Sequence, residues 1–287
     1  MIRLARSFHP KVWGTNSLGP WFEDRREKIG EVWFTHTPSP PLLVKFIFTA
    51  ERLSVQVHPD DAYAAAHEGS PGKTEMWHVL RAAPGATIAA GFRETITPER
   101  AREAALSGEI ENLLAWLPVE AGDTILVPAG TVHAIGAGVA LCEIQQNSDV
   151  TYRLYDYGRP RQLHLERALE AASFSPHAGK AVPRTAPDGA LILAECPYFA
   201  TELVTLPRGG HGLPARGAQI LIAIEGAGAL NGVRFTAAEA WLVPEGGAPV
   251  SIQADRTIRL LRTWAPLAQE TRDSILNPGF RGREIGN

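Results

Sequence analysis

Gly122-Asp123-Thr124-Ile125-Leu126-Val127-Pro128-Ala129-Gly130-Thr131-Val132-His133 is the stretch that decides the fold. An apolar run of strand length closes in Pro-x-Gly, a turn that brings His133 back toward the body the strand has just left. The same cadence returns at Ala240-Trp241-Leu242-Val243-Pro244-Glu245-Gly246. Two such strands, far apart in the chain, point to two related β units.

The surrounding sequence agrees. Residues 42–48 are an apolar run fit for a buried strand, and residues 53–58 and 74–80 alternate. Strands are also expected at 87–91, 124–127, 139–145 and 150–155. Gly (27) and Pro (22) recur between the runs as turn formers. Thr97-Pro98-Glu99 interrupts this pattern as a helix start, with a Thr N-cap and Pro in the first turn. A helical segment over 97–117 is expected, broken at Ser107-Gly108, with Ile110, Leu113, Leu114 and Leu117 as its apolar stripe. A second short helix is expected over 163–173. Residues 177–189 are rich in Pro, Gly and Ala and read as a linker. A second β series follows at 199–206, 219–224, 238–243 and 258–263, then a polar tail from 267. The expected fold is mainly β: two jelly-roll barrels, 1–176 and 190–287, with a small helical insertion in the first.

Composition narrows the function. Lys and Arg (28) nearly balance Asp and Glu (31), which leaves a net charge of −3 with both signs interspersed. No basic surface for nucleic acid and no membrane partner is expected. Met1-Ile2-Arg3-Leu4-Ala5-Arg6 has no apolar run behind it, and no segment offers the roughly 20 apolar residues of a membrane helix. Cys142 and Cys196 are too far apart for a metal pair, so a reducing, cytoplasmic setting is expected.

Several polar residues stand where strand parity makes them conspicuous. In Leu53-Ser54-Val55-Gln56-Val57-His58, Gln56 and His58 share one face. A lone His here would be an ordinary structural histidine; Gln and His side by side make a better ligand arrangement. In Gly72-Lys73-Thr74-Glu75-Met76-Trp77, Lys73 and Glu75 share a face. They are either a solvated ion pair or, if inward, a carboxylate that needs a cation or donor. Lys45, inside Leu42-Leu43-Val44-Lys45-Phe46-Ile47-Phe48, either snorkels to water or serves a polar interior. Glu143 and Gln145 share one face of the next segment, and Thr151, Arg153 and Tyr155 another. These line a polar barrel interior or face outward from an edge strand. Cys142 has the opposite parity and reads as a small core residue.

The spacing Gly122-x5-Pro128-x-Gly130-x2-His133 is similar to the second motif of cupin barrels, in which the His is a metal ligand. Two imidazoles, a carboxylate and an amide oxygen form a donor set suited to Zn or another first-row divalent metal. Four stretches in register resemble type I phosphomannose isomerases: Leu53–Asp61, Gly72–Trp77, Val127–Ala134 and Glu143–Asp156. Trp13-Gly14 and Ile29-Gly30-Glu31-Val32-Trp33 fit the same pattern, so the likeness runs from about Trp13 to Leu169. It implies two cupin-like jelly-roll barrels of the short bacterial form. It also implies one Zn2+ per chain at Gln56, His58, Glu75 and His133, and an active-site Arg153. Lys73, Lys45, Glu143 and Asp149 match residues near the substrate. Arg153 and Lys73 are taken as the catalytic pair, and Glu143, Asp149 and Lys73 all stand as candidates to move the carbon-bound proton. The implied reaction interconverts mannose 6-phosphate and fructose 6-phosphate through an enediol. Pro249 occupies the ligand-His position of the second barrel, so no metal is expected there.

Two other readings compete. A non-catalytic cupin that senses a sugar phosphate would keep the ligands, but it would have no need of Lys73 and Arg153. An Fe-dependent oxygenase usually carries two His at i and i+2 in its first motif, where this chain has Gln56-x-His58.

Overall fold

The computed structural model describes residues 1–214 and 216–266. Two antiparallel sheets form the first barrel. The larger has six strands in the order Ala5–Thr15, Ile29–Thr35, Leu42–Phe48, Val139–Gln146, Glu75–Ala82 and Thr124–Val127. The smaller has five: Tyr152–Tyr155, Val55–Val57, His133–Ile135, Thr87–Phe92 and Leu114–Pro118. The second barrel pairs a seven-stranded sheet with a four-stranded one. Its seven-stranded sheet begins with Ile2–Arg3 from the far end of the chain, paired with Glu239–Val243. Among the described residues no helix is long and apolar enough to cross a membrane.

The apolar run at 42–48 explains the arrangement. All seven residues of Leu42–Phe48 are buried, because the sheet that holds them is covered on both faces. Val44, Phe46 and Phe48 point outward and pack with Ile220, Ile222 and Leu261 of the second barrel. Ile47 points inward and packs with Trp77, Val79, Ile88 and Ile135. Val139–Gln146, the neighbouring strand, is likewise buried along its full length. Cys142 faces the interbarrel core, while Glu143 lies opposite both Lys45 and Trp77. Lys45, Glu143 and Gln145 therefore share the parity of Ile47 and belong to the interior of the first barrel.

Most expected strands form within a residue or two of their expected bounds. The helical insertion differs. Thr97 caps Pro98–Ser107 through a bond from Arg100 N to its Oγ1 at 3.2 Å. Gly108 ends the helix with φ +82°. Ile110–Leu113 makes one further turn, and Leu114 then turns extended. Leu114–Pro118 is a strand paired with Thr87–Phe92, not the end of a helix. Leu114 and Leu117, three apart, fit a helical stripe and take opposite faces in the strand that forms, and the open edge of Thr87–Phe92 settles the choice in favour of the ladder. The second short helix spans Leu165–Ala171. Within 177–189, Ala181 N bonds to Thr124 O at 2.8 Å, and Arg184–Thr185 pairs at the edge of the seven-stranded sheet. The polar tail from 267 lies outside the described residues.

Candidate metal centre and adjoining cleft

Strand pairing delivers the site. His133 lies opposite Gln56 on one strand, and Arg153 lies opposite Gln56 on the other. Glu75, at the head of its strand in the larger sheet, faces this row across the barrel. Gly130 takes φ +84° in the turn before His133, and its N–H bonds to the His58 carbonyl at 2.8 Å. That bond ties the two imidazole-bearing loops together. Gly72 has a steric role beside Lys73: a Cβ there would come within 2.5 Å of the Asp60 carbonyl carbon.

His58, Glu75 and His133 bring one ligand atom each to within 4.8 Å of one another, all fully buried. The imidazoles are held in one tautomer by backbone carbonyls. His58 Nδ1 donates to Val150 O at 2.8 Å, and His133 Nδ1 donates to Thr131 O at 2.9 Å. Both Nε2 lone pairs then face Glu75, at 3.5 Å from Oε2 and 3.6 Å from Oε1. Glu75 is 0% exposed and its Oε1 accepts no hydrogen bond among the described residues. A buried carboxylate oxygen without a donor, flanked by two imidazole lone pairs, fits a divalent cation. Gln56 Nε2 lies 3.2 Å from His133 Nε2, and Gln56 Oε1 accepts from Ser54 Oγ at 3.1 Å.

Electrostatics support the same picture. Burial, with Lys73 beside it, pushes the His58 imidazole down to about 4. Burial also lowers His133. Both are therefore neutral, as ligands must be. Burial pushes the Glu75 carboxyl up, but the Lys73 ammonium beside it outweighs this and holds the group well below the usual carboxylate range. Lys73 Nζ lies 2.8 Å from His58 Nε2 and donates to Glu75 Oε2.

A cleft of about 320 Å³ adjoins the centre. Gln56, Lys73, Lys45, Glu143, Asp149 and Arg153 all line it. Lys45 Nζ sits 3.2 Å from Glu143 Oε1 and 3.9 Å from Asp149 Oδ1. Trp77 Nε1 donates to the other Glu143 oxygen at 3.0 Å. Burial pushes Lys45 down, but Glu143, Glu31 and Asp149 more than restore it, so its ammonium stays charged. Arg153 is half-buried; its Nε has no hydrogen-bond partner among the described residues, and Nη1 reaches only Gln162 O at 3.4 Å. Every candidate ligand, catalytic and substrate-contacting residue named from the sequence thus lies at the centre or on the cleft, whereas Gln145 and Tyr155, also marked by parity, do not line it. The sequence reading gave no role to Glu31, Trp13, Lys11, Arg161 or His164, which also line it. Parity could have flagged Glu31, whose neighbours Val32 and Phe34 are fully buried. Arg161 and His164 lie between a strand and a helix, where no period marks them.

No family model matches the chain. The mannose-6-phosphate isomerase of Streptococcus mutans is 42% identical over 240 residues, covering 68% of this chain and 76% of its own. That of Bacillus subtilis is 47% identical over 137 residues, 45% of this chain and 43% of its own. Among solved structures, mannose 6-phosphate isomerase from B. subtilis superposes with a TM-score of 0.81 at 27% identity, over 92% of this chain and 99% of that one. A zinc-bound mannose 6-phosphate isomerase shares the fold with a TM-score of 0.73 at 17% identity, over 93% and 99% of the two chains. With a relative this similar over most of both lengths, the chain belongs to the mannose-6-phosphate isomerase family.

Proposed function

We propose that the chain interconverts mannose 6-phosphate and fructose 6-phosphate at the cleft beside His58, Glu75 and His133. The observation that carries this is the undonated Oε1 of fully buried Glu75 between two neutral imidazoles, at the floor of a cleft lined by Lys73, Lys45 and Arg153. Gln56, His58, Glu75 and His133 would hold one Zn2+ or another first-row divalent ion. A half-turn of the Gln56 amide exchanges Nε2 for Oε1 and offers an oxygen to the set. Held by these residues, such an ion would supply a Lewis acid for the substrate's hydroxyl and carbonyl oxygens.

The remaining steps fall to side chains. Isomerisation moves a proton from one carbon beside the carbonyl to the neighbouring carbon, and negative charge gathers on oxygen between the two transfers. The Arg153 guanidinium, with its Nε and most of its Nη donors free for substrate, would stabilise that charge. The Lys73 ammonium would donate to the same oxygens. Glu143 and Asp149 are the carboxylates that border the cleft. Lys45 and Trp77 hold both oxygens of Glu143 in place. The side chain of Asp149 is 69% exposed and freer to reach a substrate carbon. A cytoplasmic setting fits the two cysteines, which are both free thiols.

The test is a coupled assay for ketose formation from mannose 6-phosphate, before and after chelation and after zinc is restored. Turnover should vanish with the metal and return with it. Undiminished activity in metal-free protein would refute the reading.

A further inference from the structure

The second barrel has an apolar interior built from Leu221, Ala223, Leu230, Phe235, Ile258 and Leu260. At one end this changes. Glu202, Gln219 and Arg262 take the same inward parity on three adjacent strands, at 2%, 1% and 1% exposure. Glu202 and Arg262 stand directly opposite each other. Arg262 Nη1 donates to Glu202 Oε1 at 3.0 Å, Nε to Gln219 Oε1, and Nη2 to the Pro214 carbonyl. Arg216 pairs with Asp188, and its Nη2 comes within 3.5 Å of Glu202 Oε2.

Glu202, Arg262, Arg216 and Asp188 form the polar side of a cavity of about 610 Å³, and Leu191 and Leu213 its apolar side. Glu202 Oε2, Gln219 Nε2 and Arg216 Nε are buried with no hydrogen-bond partner among the described residues. Each such atom destabilises the fold while it stays unpaired. Apolar residues would close a barrel end at less cost than a buried Arg–Glu pair. Barrel mouths are common ligand sites.

We propose that this mouth binds a neutral polyhydroxy compound, a sugar or sugar alcohol without a phosphate. Two guanidinium groups face two carboxylates, so the site has no surplus charge for an ionic ligand. A hydroxyl both donates and accepts, which suits one open acceptor, Glu202 Oε2, beside one open donor, Arg216 Nε, on lining residues. The leucine wall suits the C–H face of a sugar ring. Nothing in this inference depends on the isomerase reaction.

The full-length protein is titrated calorimetrically with mannose, fructose and mannitol, and with mannose 6-phosphate for contrast. At least one neutral probe should bind with a Kd of roughly 0.1–10 mM. Glu202→Gln should weaken that binding by about tenfold. Leu191→Trp, at a partly exposed position of the cavity wall, should block it even if the first variant folds poorly. Both variants should keep full isomerase turnover. Binding should survive His133→Ala, which dismantles the other site. The proposal is overturned if no neutral probe binds. It is also overturned if only phosphorylated sugar binds, or if His133→Ala abolishes binding while Glu202→Gln and Leu191→Trp leave it intact.

Discussion

Lys73 holds the lone pairs of His58 Nε2 and Glu75 Oε2, two atoms that a divalent ion also needs. An ammonium and a metal cannot share them, so Lys73 must swing into the cleft when the ion binds. Lys73→Met should therefore bind zinc at least as tightly as the wild type, yet lose about 10²–10³-fold in turnover. Zinc titration alongside the isomerase assay checks both halves, and weaker zinc binding would contradict the competition. Arg153→Ala should retain zinc and lose most turnover, because among the described residues its guanidinium makes only one long hydrogen bond, to Gln162 O. His133→Ala should lose the metal with the barrel intact, as elemental analysis and circular dichroism would register. Much of this was legible in the sequence. Period-two alternation placed Gln56 with His58 and Lys73 with Glu75, and it set Cys142 apart from Glu143. It could not decide whether those faces point inward, since a salt-bridged surface strand has the same pattern.

Elements tell a similar story. The strand Leu42–Phe48 was readable because burial on both faces removes all alternation except Lys45. Phe46 meets Phe34, Phe22 and Trp21 at ring distances of 5.5, 5.8 and 6.3 Å, within the core shared by the two barrels. Phe46→Ala should cost about 3–5 kcal/mol. Urea unfolding should show that loss in a single transition that reports on both barrels. The Thr97 cap is more modest: Thr97→Ala should lower stability by about 1 kcal/mol and leave turnover untouched. The strand Leu114–Pro118 was hidden because Leu114 and Leu117 continue the helical spacing of Ile110 and Leu113. Only the tertiary need of Thr87–Phe92 for a partner distinguishes strand from helix there.

At the scale of the whole molecule, buried imidazoles couple folding to acidity. Burial, with Arg259 nearby, pushes His78 down to about 4, and His58 behaves alike for its own reasons. The unfolded chain protonates these groups near 6.5, before the folded one does, so it gains protons first as pH falls. Their contribution to stability is complete above pH 6.5 and fades as pH drops toward about 4, by on the order of 3 kcal/mol for His78. Thermal midpoints of metal-free protein should fall across that window, and His78→Gln should shallow the slope; a flat profile would contradict the assignment. The pairing of Ile2 with Leu242 and Arg3 with Trp241 has a consequence for biosynthesis. Residue 2 leaves the ribosome long before residue 242 does, by on the order of ten to fifty seconds at ordinary rates of translation. Throughout that interval the nascent segment has no mate, and its edge of the sheet closes only when a strand made far later has emerged.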